Sequence, residues 1–507
     1  MNEKSKVRYP DLNDVSEIDV KQYQDYKFMP VSSNNVDTQN INAIKKENIK
    51  NGLNMNINVN RTAKSQIDTN ATVKSNLNIQ NVQNSNLRNE GRFFMTTLQI
   101  KEIQSMLNRA GYGILVVDGI IGPRTKEAVM EFQRDNGLKV DGIIGPNTYM
   151  VMNNYLNGYA RYKIRRGDTF YNLGKRYGID YRLIEAANPN VNSNNLQVGT
   201  DIILPINISI VPTDMEYTYE MMLRNLRSLK VLYPFITLDR SGESSLGKGL
   251  YYFKVGNGNN NVFYNASHHG LEWITTPVLM KFSEDYVKNV VTGSQREVAS
   301  FNFSTMTVMP MVNPDGVSLV LEGLKTDNPN YNELIRWNNN NSDFSRTWQA
   351  NNNGVDINHN YNAKFEEYQK IALENGYGTP GPTRYPGPYA ESEPETRGVV
   401  NLVNNNNFNL AIAYHTQGEV VYYKCGDIDV AKAEQIGTEL ANAAGYTLDE
   451  ASGLSSYSGF KDWFILSKVR PGYTVEAGLG RNPLPISQFN EIYNDNKRLL
   501  QRGLERF

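Results

Sequence analysis

The chain has 507 residues and a formal net charge of -1 at pH 7, from 52 basic and 53 acidic side chains. That balance supplies no global attraction to nucleic acid or to an acidic lipid surface, so neither is an expected partner. The one cysteine, Cys425, excludes an intrachain disulfide and a multi-cysteine zinc site, which leaves nitrogen and oxygen to hold any metal.

Residues 1–92 are dominated by Asn, with Lys, Ser, Gln and isolated Ile or Leu, as in NINAIKKENIKNGLNMNINVN. Such a segment cannot bury enough apolar area to offset the entropy of ordering it. It reads as a tether or as a segment that orders on a protein partner, the plainer alternative being disorder with no specific role. Asn-rich tracts also pair as strands in assemblies.

Regular apolar spacing begins at residue 93. In LQIKEIQSMLNRAGYG, Leu98, Ile100, Ile103, Met106 and Leu107 fall near one helical face, and Gly111 suits the helix C-terminus. Two near-identical stretches follow, VDGIIGPRT from Val117 and VDGIIGPNT from Val140, each a glycine-punctuated turn whose proline opens a helix. Over residues 93–157 this pattern resembles the small three-helix peptidoglycan-binding domain of bacterial wall hydrolases, the alternative being a helical spacer. Residues 160–206 then read strand, helix, helix, strand. Gly167-Asp168-Thr169 marks the first helix entry, Asn188-Pro189-Asn190 breaks the second helix, and DIILP closes the unit. This segment resembles a LysM module, which implies binding to the N-acetylglucosamine-containing glycan strands of peptidoglycan or to chitin. The resemblance places the groove around Gly167, Asp168, Thr169, Asn188 and Asn190.

From about residue 211 to 507, strand-like runs (NVFYNAS, STMTVMPMV, FNLAIAYH, GYTVEAG) alternate with helical ones (TTPVLMKFSEDYVKNVV, SEPETRGVVNLV, DVAKAEQIGTELANAAG). Alternation of this kind predicts an α/β domain with a mixed sheet between helices, and in such folds chemistry gathers at the carboxyl ends of strands. The expected architecture is therefore multidomain: a small all-α domain, a small α+β domain and a C-terminal α/β domain.

All four histidines, His268, His269, His359 and His415, lie in the last part. A pair such as His268-His269 is by itself more often a satisfied core than a metal site. Here Glu272 stands three positions after His269, at the end of a strand, and His415 ends another. Two nitrogens and one carboxylate form the three-donor, open-position set of a catalytic zinc centre, whereas structural zinc usually takes four donors. Glu476 ends a third apolar strand, where an acid is unexpected without a task.

The stretches HHGLEWITTPVLMKF, VMPMVNPDGVSLV, GVDIN, YAESEPETRG, AYHTQGEVVYY, GFKDWFI and GYTVEAGLGRNPLP, in this order, resemble zinc carboxypeptidases of the carboxypeptidase A type. In particular they resemble the bacterial branch of γ-D-glutamyl-diaminopimelate endopeptidases. The resemblance implies that His269, Glu272 and His415 hold one Zn²⁺ and that Glu476 is the general base, with His268 a structural neighbour. Two departures bear on the substrate. Exopeptidases of the family follow GVD with an Asn-Arg pair that clamps the terminal carboxylate, and here Asn358-His359 stands instead, without a guanidinium. The oxyanion-stabilising Trp-Arg is replaced by Trp348-Gln349, which implies either a slower enzyme or compensation by Arg346 or another residue. The family's catalytic tyrosine has no matching position; Tyr457 is near but offset.

The sequence thus predicts a peptidoglycan hydrolase that cleaves the γ-D-glutamyl-diaminopimelate amide of stem peptides, delivered by two wall-binding modules. The alternatives are a carboxypeptidase that trims the stem, and an inactive wall-anchoring or structural component of a phage or spore. No apolar run approaches the ~18 residues of a membrane span, and MNEKSKVRYPDLNDV lacks an export signal. Cytoplasmic synthesis is expected, with access to the wall through sporulation, lysis, a phage particle or a dedicated release route.

Overall fold

The computed structural model describes residues 95–505. The tether or partner-binding role expected of residues 1–92 falls outside the described residues.

Three helices come first, α1 (Thr97–Ala110), α2 (Pro123–Asp135) and α3 (Pro146–Asn157). Thr96 and Gln99 cap α1 reciprocally, and Gly111 ends it at φ 88°, where a β-carbon would be strained. The structure explains the internal repeat as one clamp used twice. A buried glutamine in the preceding helix grips each VDGII turn. The Gln104 amide donates to Asp118 (2.9 Å) and to the Ile120 carbonyl (3.0 Å), and Gln133 does the same for Asp141 and Ile143, at 3.0 Å each. Phe132, Tyr155, Leu107, Val129 and Val151 are buried and give these helices an apolar core.

The next segment runs β1 (Tyr159–Lys163), α4 (Phe170–Tyr177), α5 (Tyr181–Ala187) and β2 (Asp201–Pro205), with the two strands antiparallel. The predicted order of elements is observed.

The remaining chain holds α6 (Tyr219–Leu232), β3 (Thr237–Glu243), β4 (Gly249–Gly256), β5 (Asn260–Ala266), α7 (Thr275–Val291), α8 (Gln295–Phe303) and β6 (Ser304–Met309). It continues with α9 (Pro314–Glu322), α10 (Tyr331–Trp337), α11 (Phe365–Glu374), α12 (Pro394–Asn404), β7 (Leu410–His415), β8 (Val420–Tyr422) and α13 (Ala433–Ala444), then β9 (Thr447–Asp449), α14 (Phe460–Lys468), β10 (Gly472–Glu476) and α15 (Phe489–Gly503). The eight strands form one mixed sheet in the order β3-β4-β6-β5-β7-β10-β8-β9. Its centre, β6, β5, β7 and β10, is parallel. Every residue of β7 is buried, as expected for a parallel strand covered on both faces. The central strands end together, so Ala266, His415 and Glu476 arrive at one edge of the sheet, with Glu476 in register beside His415.

Buried acids of the YAESEPETRG stretch hold the loops above that edge. Glu395 accepts from the Ser245 amide (2.8 Å) and from Asn351 (3.0 Å), and Glu393 accepts from Asn351 and Asn353 at 2.8 Å each. Burial pushes the Glu395 carboxyl up to about 7.

Candidate metal centre and active site

β5 ends at Ala266, and the chain turns at Ser267, which adopts φ 53°. The Ser267 amide donates to Thr275 Oγ1 (3.1 Å), tying the turn to the start of α7. Past this turn the two adjacent histidines face different partners. His268 is fully buried and pairs through Nε2 with the Tyr361 hydroxyl at 2.9 Å. Burial, reinforced by His415 and His269, keeps its pKa well below the ordinary value, so it stays neutral.

His269 turns the other way. A single 3₁₀ turn over Gly270–Glu272 folds Glu272 back, and His269 Nδ1 lies 2.9 Å from Glu272 Oε1. A β-carbon on Gly270 would come within 2.6 Å of the Gly316 carbonyl oxygen, so the tight turn requires glycine there. His415 Nδ1 lies 2.9 Å from Glu272 Oε2 and 3.3 Å from His269 Nδ1. One donor atom from each of the three residues thus lies within 4.8 Å of the other two. Two imidazole nitrogens and one carboxylate converging in this way fit a zinc ion with an open coordination position.

Sequence reasoning did not assign a role to Asp356, although GVDIN contains it. Its Oδ1 is 3.1 Å from His269 Nε2, and its Oδ2 accepts from the Arg384 amide at 2.8 Å. A carboxylate behind a histidine fixes the ring orientation and leaves the opposite nitrogen facing a metal. The charges of this network reinforce one another. Burial alone would raise the Glu272 pKa, but the His269 and His415 imidazoles outweigh it and bring the carboxyl down to about 2. Burial alone would lower the His269 pKa, yet Glu272 and Asp356 raise it well above the ordinary value. Glu476, half-buried at the end of β10, is shifted oppositely to Glu272: burial, with the Glu272 charge beside it, raises its carboxyl well above the ordinary range.

A cavity of about 360 Å³ opens over these groups and takes in His269, Glu272 and Glu476. Among the other residues singled out from sequence, Gln349, Asn358 and His359 also line it. Gln349 accepts from the Thr383 hydroxyl, and Asn358 Oδ1 accepts from the Phe460 amide at the start of α14. His359 is buried, stacks flat on Tyr368 at 4.0 Å, and is shifted below its ordinary pKa by burial, which leaves it neutral. Arg346 is exposed and stands outside the cavity. The guanidinium-bearing residue in the cavity wall is Arg384, with a left-handed backbone at φ 64°. No spacing in the sequence marks it. Asn482, also unmarked, donates to Glu272 Oε1 at 3.3 Å and to the Thr416 carbonyl at 2.7 Å.

The five residues expected around a glycan groove divide into two groups. Asp168 is buried and accepts from the Tyr162 hydroxyl (2.8 Å) and the Arg165 amide (2.7 Å). Asn188 is buried and bonds the Ile184 and Ile203 carbonyls and the Ile203 amide. Both side chains are committed to holding the module together. Gly167, Thr169 and Asn190 are exposed, Thr169 capping α4.

Two imidazoles and a carboxylate converging at the end of a mixed sheet, with a second carboxyl of raised pKa in the same cavity, define a metal-dependent amide hydrolase. The chain belongs to the zinc carboxypeptidase family, whose model matches residues 222–499. The peptidoglycan binding domain model matches residues 96–152, and the LysM domain model matches residues 162–205. Over 301 residues the chain is 38% identical to gamma-D-glutamyl-L-diamino acid endopeptidase 1 of Lysinibacillus sphaericus, covering 58% of this chain and 74% of that protein. It is 30% identical over 363 residues to the uncharacterized protein YqgT of Bacillus subtilis (strain 168), covering 66% of this chain and 95% of that one. The solved carboxypeptidase A of Helicoverpa armigera is 17% identical, covers 66% of this chain and 84% of its own, and superposes with a TM-score of 0.45. The protein is thus a multidomain zinc metallopeptidase with domains that bind peptidoglycan. Among the described residues no helix is long and apolar enough to cross a membrane.

Proposed function

We propose that the chain hydrolyses the γ-D-glutamyl-diaminopimelate amide within peptidoglycan stem peptides, with His269, Glu272 and His415 as the zinc ligands and Glu476 as the general base. One observation carries the choice of an internal bond. The position where a terminal-carboxylate clamp would need a fixed cation holds His359, neutral and stacked on Tyr368. The name of the Lysinibacillus sphaericus relative, a gamma-D-glutamyl-L-diamino acid endopeptidase, supports the same bond.

Zinc, when bound, polarises the scissile carbonyl and acidifies the attacking water. The chain's own residues do the rest. Glu476 takes the proton of the attacking water and returns it to the nitrogen of the leaving amine, which suits a carboxyl whose pKa is raised. Asp356 holds the His269 ring through Nε2, so that Nδ1 keeps facing Glu272. Arg384 supplies the cation lost at Gln349, and Gln349 and Asn358 orient the substrate backbone from the cavity wall.

Residues 93–157 and 160–206 are proposed as separate wall-binding modules ahead of a catalytic domain at 211–507, with Gly167, Thr169 and Asn190 on the glycan face of the LysM module. Tethering raises the local concentration of stem peptides, so a modest active-site affinity suffices. A fragment of residues 93–206 is therefore expected to sediment with intact sacculi. A fragment that folds by circular dichroism yet stays in the supernatant would remove the delivery role.

The bond is tested by mass spectrometry of products from L-Ala-γ-D-Glu-diaminopimelate-D-Ala and from a matched ordinary peptide with a free C-terminal residue. The expected result is release of the L-Ala-D-Glu dipeptide from the first and little action on the second. Preferential removal of single C-terminal residues would instead establish a carboxypeptidase.

A further inference from the structure

A single residue joins the three-helix domain to the LysM module. α3 ends at Asn157 and β1 begins at Tyr159, and a β-carbon on the intervening Gly158 would come within 2.3 Å of Ile210 Cγ2. The chain that leads on into the catalytic domain is no freer. Of residues 206–218, only Asn207 is exposed. A flexible tether is polar and solvated, and domains joined by one move independently unless a large apolar interface holds them. Here α5 of the LysM module packs on α6 and α7 of the catalytic domain, and Leu183 and Ile184 share one continuous apolar core with Ile210, Leu226 and Leu229.

Polar groups fix the register of this packing. Glu284, buried on α7, accepts from the Ser209 hydroxyl (2.6 Å) and the Ile210 amide (2.7 Å). α1 of the three-helix domain reaches the same connection. Arg109 donates to the Ser209 carbonyl, Ser105 and Asn108 donate to Asp214, and Glu102 pairs with Arg224 of α6 at 2.5 Å. The Glu102 and Arg224 side chains are only 11% and 24% exposed. Separating a largely buried pair strands both charges, so such a pair favours one alignment of the two domains.

α7 also links this interface to the metal centre. It starts three residues after Glu272 and meets the connection at Lys288, whose ammonium lies 3.4 Å from Asn207 Oδ1. At ~1.5 Å per residue, that contact is on the order of 20 Å along the helix from its start.

We propose that the three-helix domain and the LysM module are docked on the catalytic domain as one rigid unit, so that wall material bound by them meets the cavity at a fixed reach and does not swing past it on a tether. The reach rests on the wall-binding roles given under Proposed function, whereas the docking does not.

The test uses the full-length protein, Arg224→Glu, and the double variant Glu102→Arg/Arg224→Glu, which reverses the pair. Calorimetry is expected to show one unfolding transition for the wild-type protein, two for Arg224→Glu and one again for the double variant. On soluble L-Ala-γ-D-Glu-diaminopimelate-D-Ala, kcat/KM should be the same for all three. On intact sacculi, which Arg224→Glu still binds, its rate should fall about tenfold or more, because the gain from linked binding is lost when geometry prevents both sites from engaging together. The double variant should recover most of that rate. Separate transitions in the wild-type protein would overturn the docking. An unchanged sacculus rate in Arg224→Glu, with its transitions separated, would overturn the fixed reach. Failure of the wild-type protein to bind sacculi would overturn the delivery role instead, a result that calorimetry does not touch. Should Arg224→Glu fail to fold, Glu102→Arg, on the other side of the interface, takes its place.

Discussion

Glu476→Gln is expected to lower turnover of muropeptides by about 100-fold or more, the usual contribution of a positioned acid-base group, while bound zinc is unchanged. The substitution keeps the shape of the side chain at the end of β10 and removes only its capacity to take and return a proton. Glu476 is also separate from the three donors that converge, since Glu272 is the carboxylate bridging both imidazoles. The two acids have opposite environments. Glu272 is drawn down to about 2 by its histidines, which keeps it ionised and able to ligate. Burial and the Glu272 charge raise Glu476, which suits proton exchange. Steady-state kinetics paired with metal analysis of the same sample checks both halves. A variant retaining more than roughly a tenth of the wild-type rate would place the base elsewhere.

His415→Ala is expected to lose the metal, and with it activity, because it removes one of only three donors. Asp356→Asn should behave differently. Asp356 touches the outer nitrogen of His269, so its loss weakens the orientation of one ligand without deleting it. Groups in this position typically contribute about 10- to 100-fold in metal affinity. Competition with a chelator should show that loss for Asp356→Asn, and saturating zinc should restore most of its turnover but none for His415→Ala. Unchanged zinc affinity in Asp356→Asn would reduce the aspartate to a loop-fixing role, through its bond to the Arg384 amide.

Much of the local structure could be read along the chain because it depends on short-range periodicity. α7 spans the predicted TTPVLMKFSEDYVKNVV, α1 ends at the glycine expected to end it, and the strand-helix-helix-strand order of residues 159–205 follows its turn residues. The convergence of His269, Glu272 and His415 was also legible. A three-residue offset at a strand end closes through one tight turn, and the parallel strands of such a domain bring their carboxyl ends together. The three-residue spacing also pointed to His269 over His268 as the neighbour of Glu272, and the 3₁₀ turn over Gly270–Glu272 brings those two side chains together.

What the sequence by itself determined, then, was the order of the segments, the elements within them and the residues that end the central strands. Tertiary structure decided which groups stand behind and around those residues. Asp356 and Arg384 sit on loops whose course is set by Glu393, Glu395 and the neighbouring asparagines, and no period in the chain relates either residue to His269. The same dependence removed Asp168 and Asn188 from the candidate glycan surface, since a polar side chain beside a turn can serve the fold or a ligand. The physical reason is one of range. Backbone geometry repeats every two or 3.6 residues and writes itself into the local pattern, whereas a contact across many tens of residues exists only once sheet order and helix packing have fixed which faces meet.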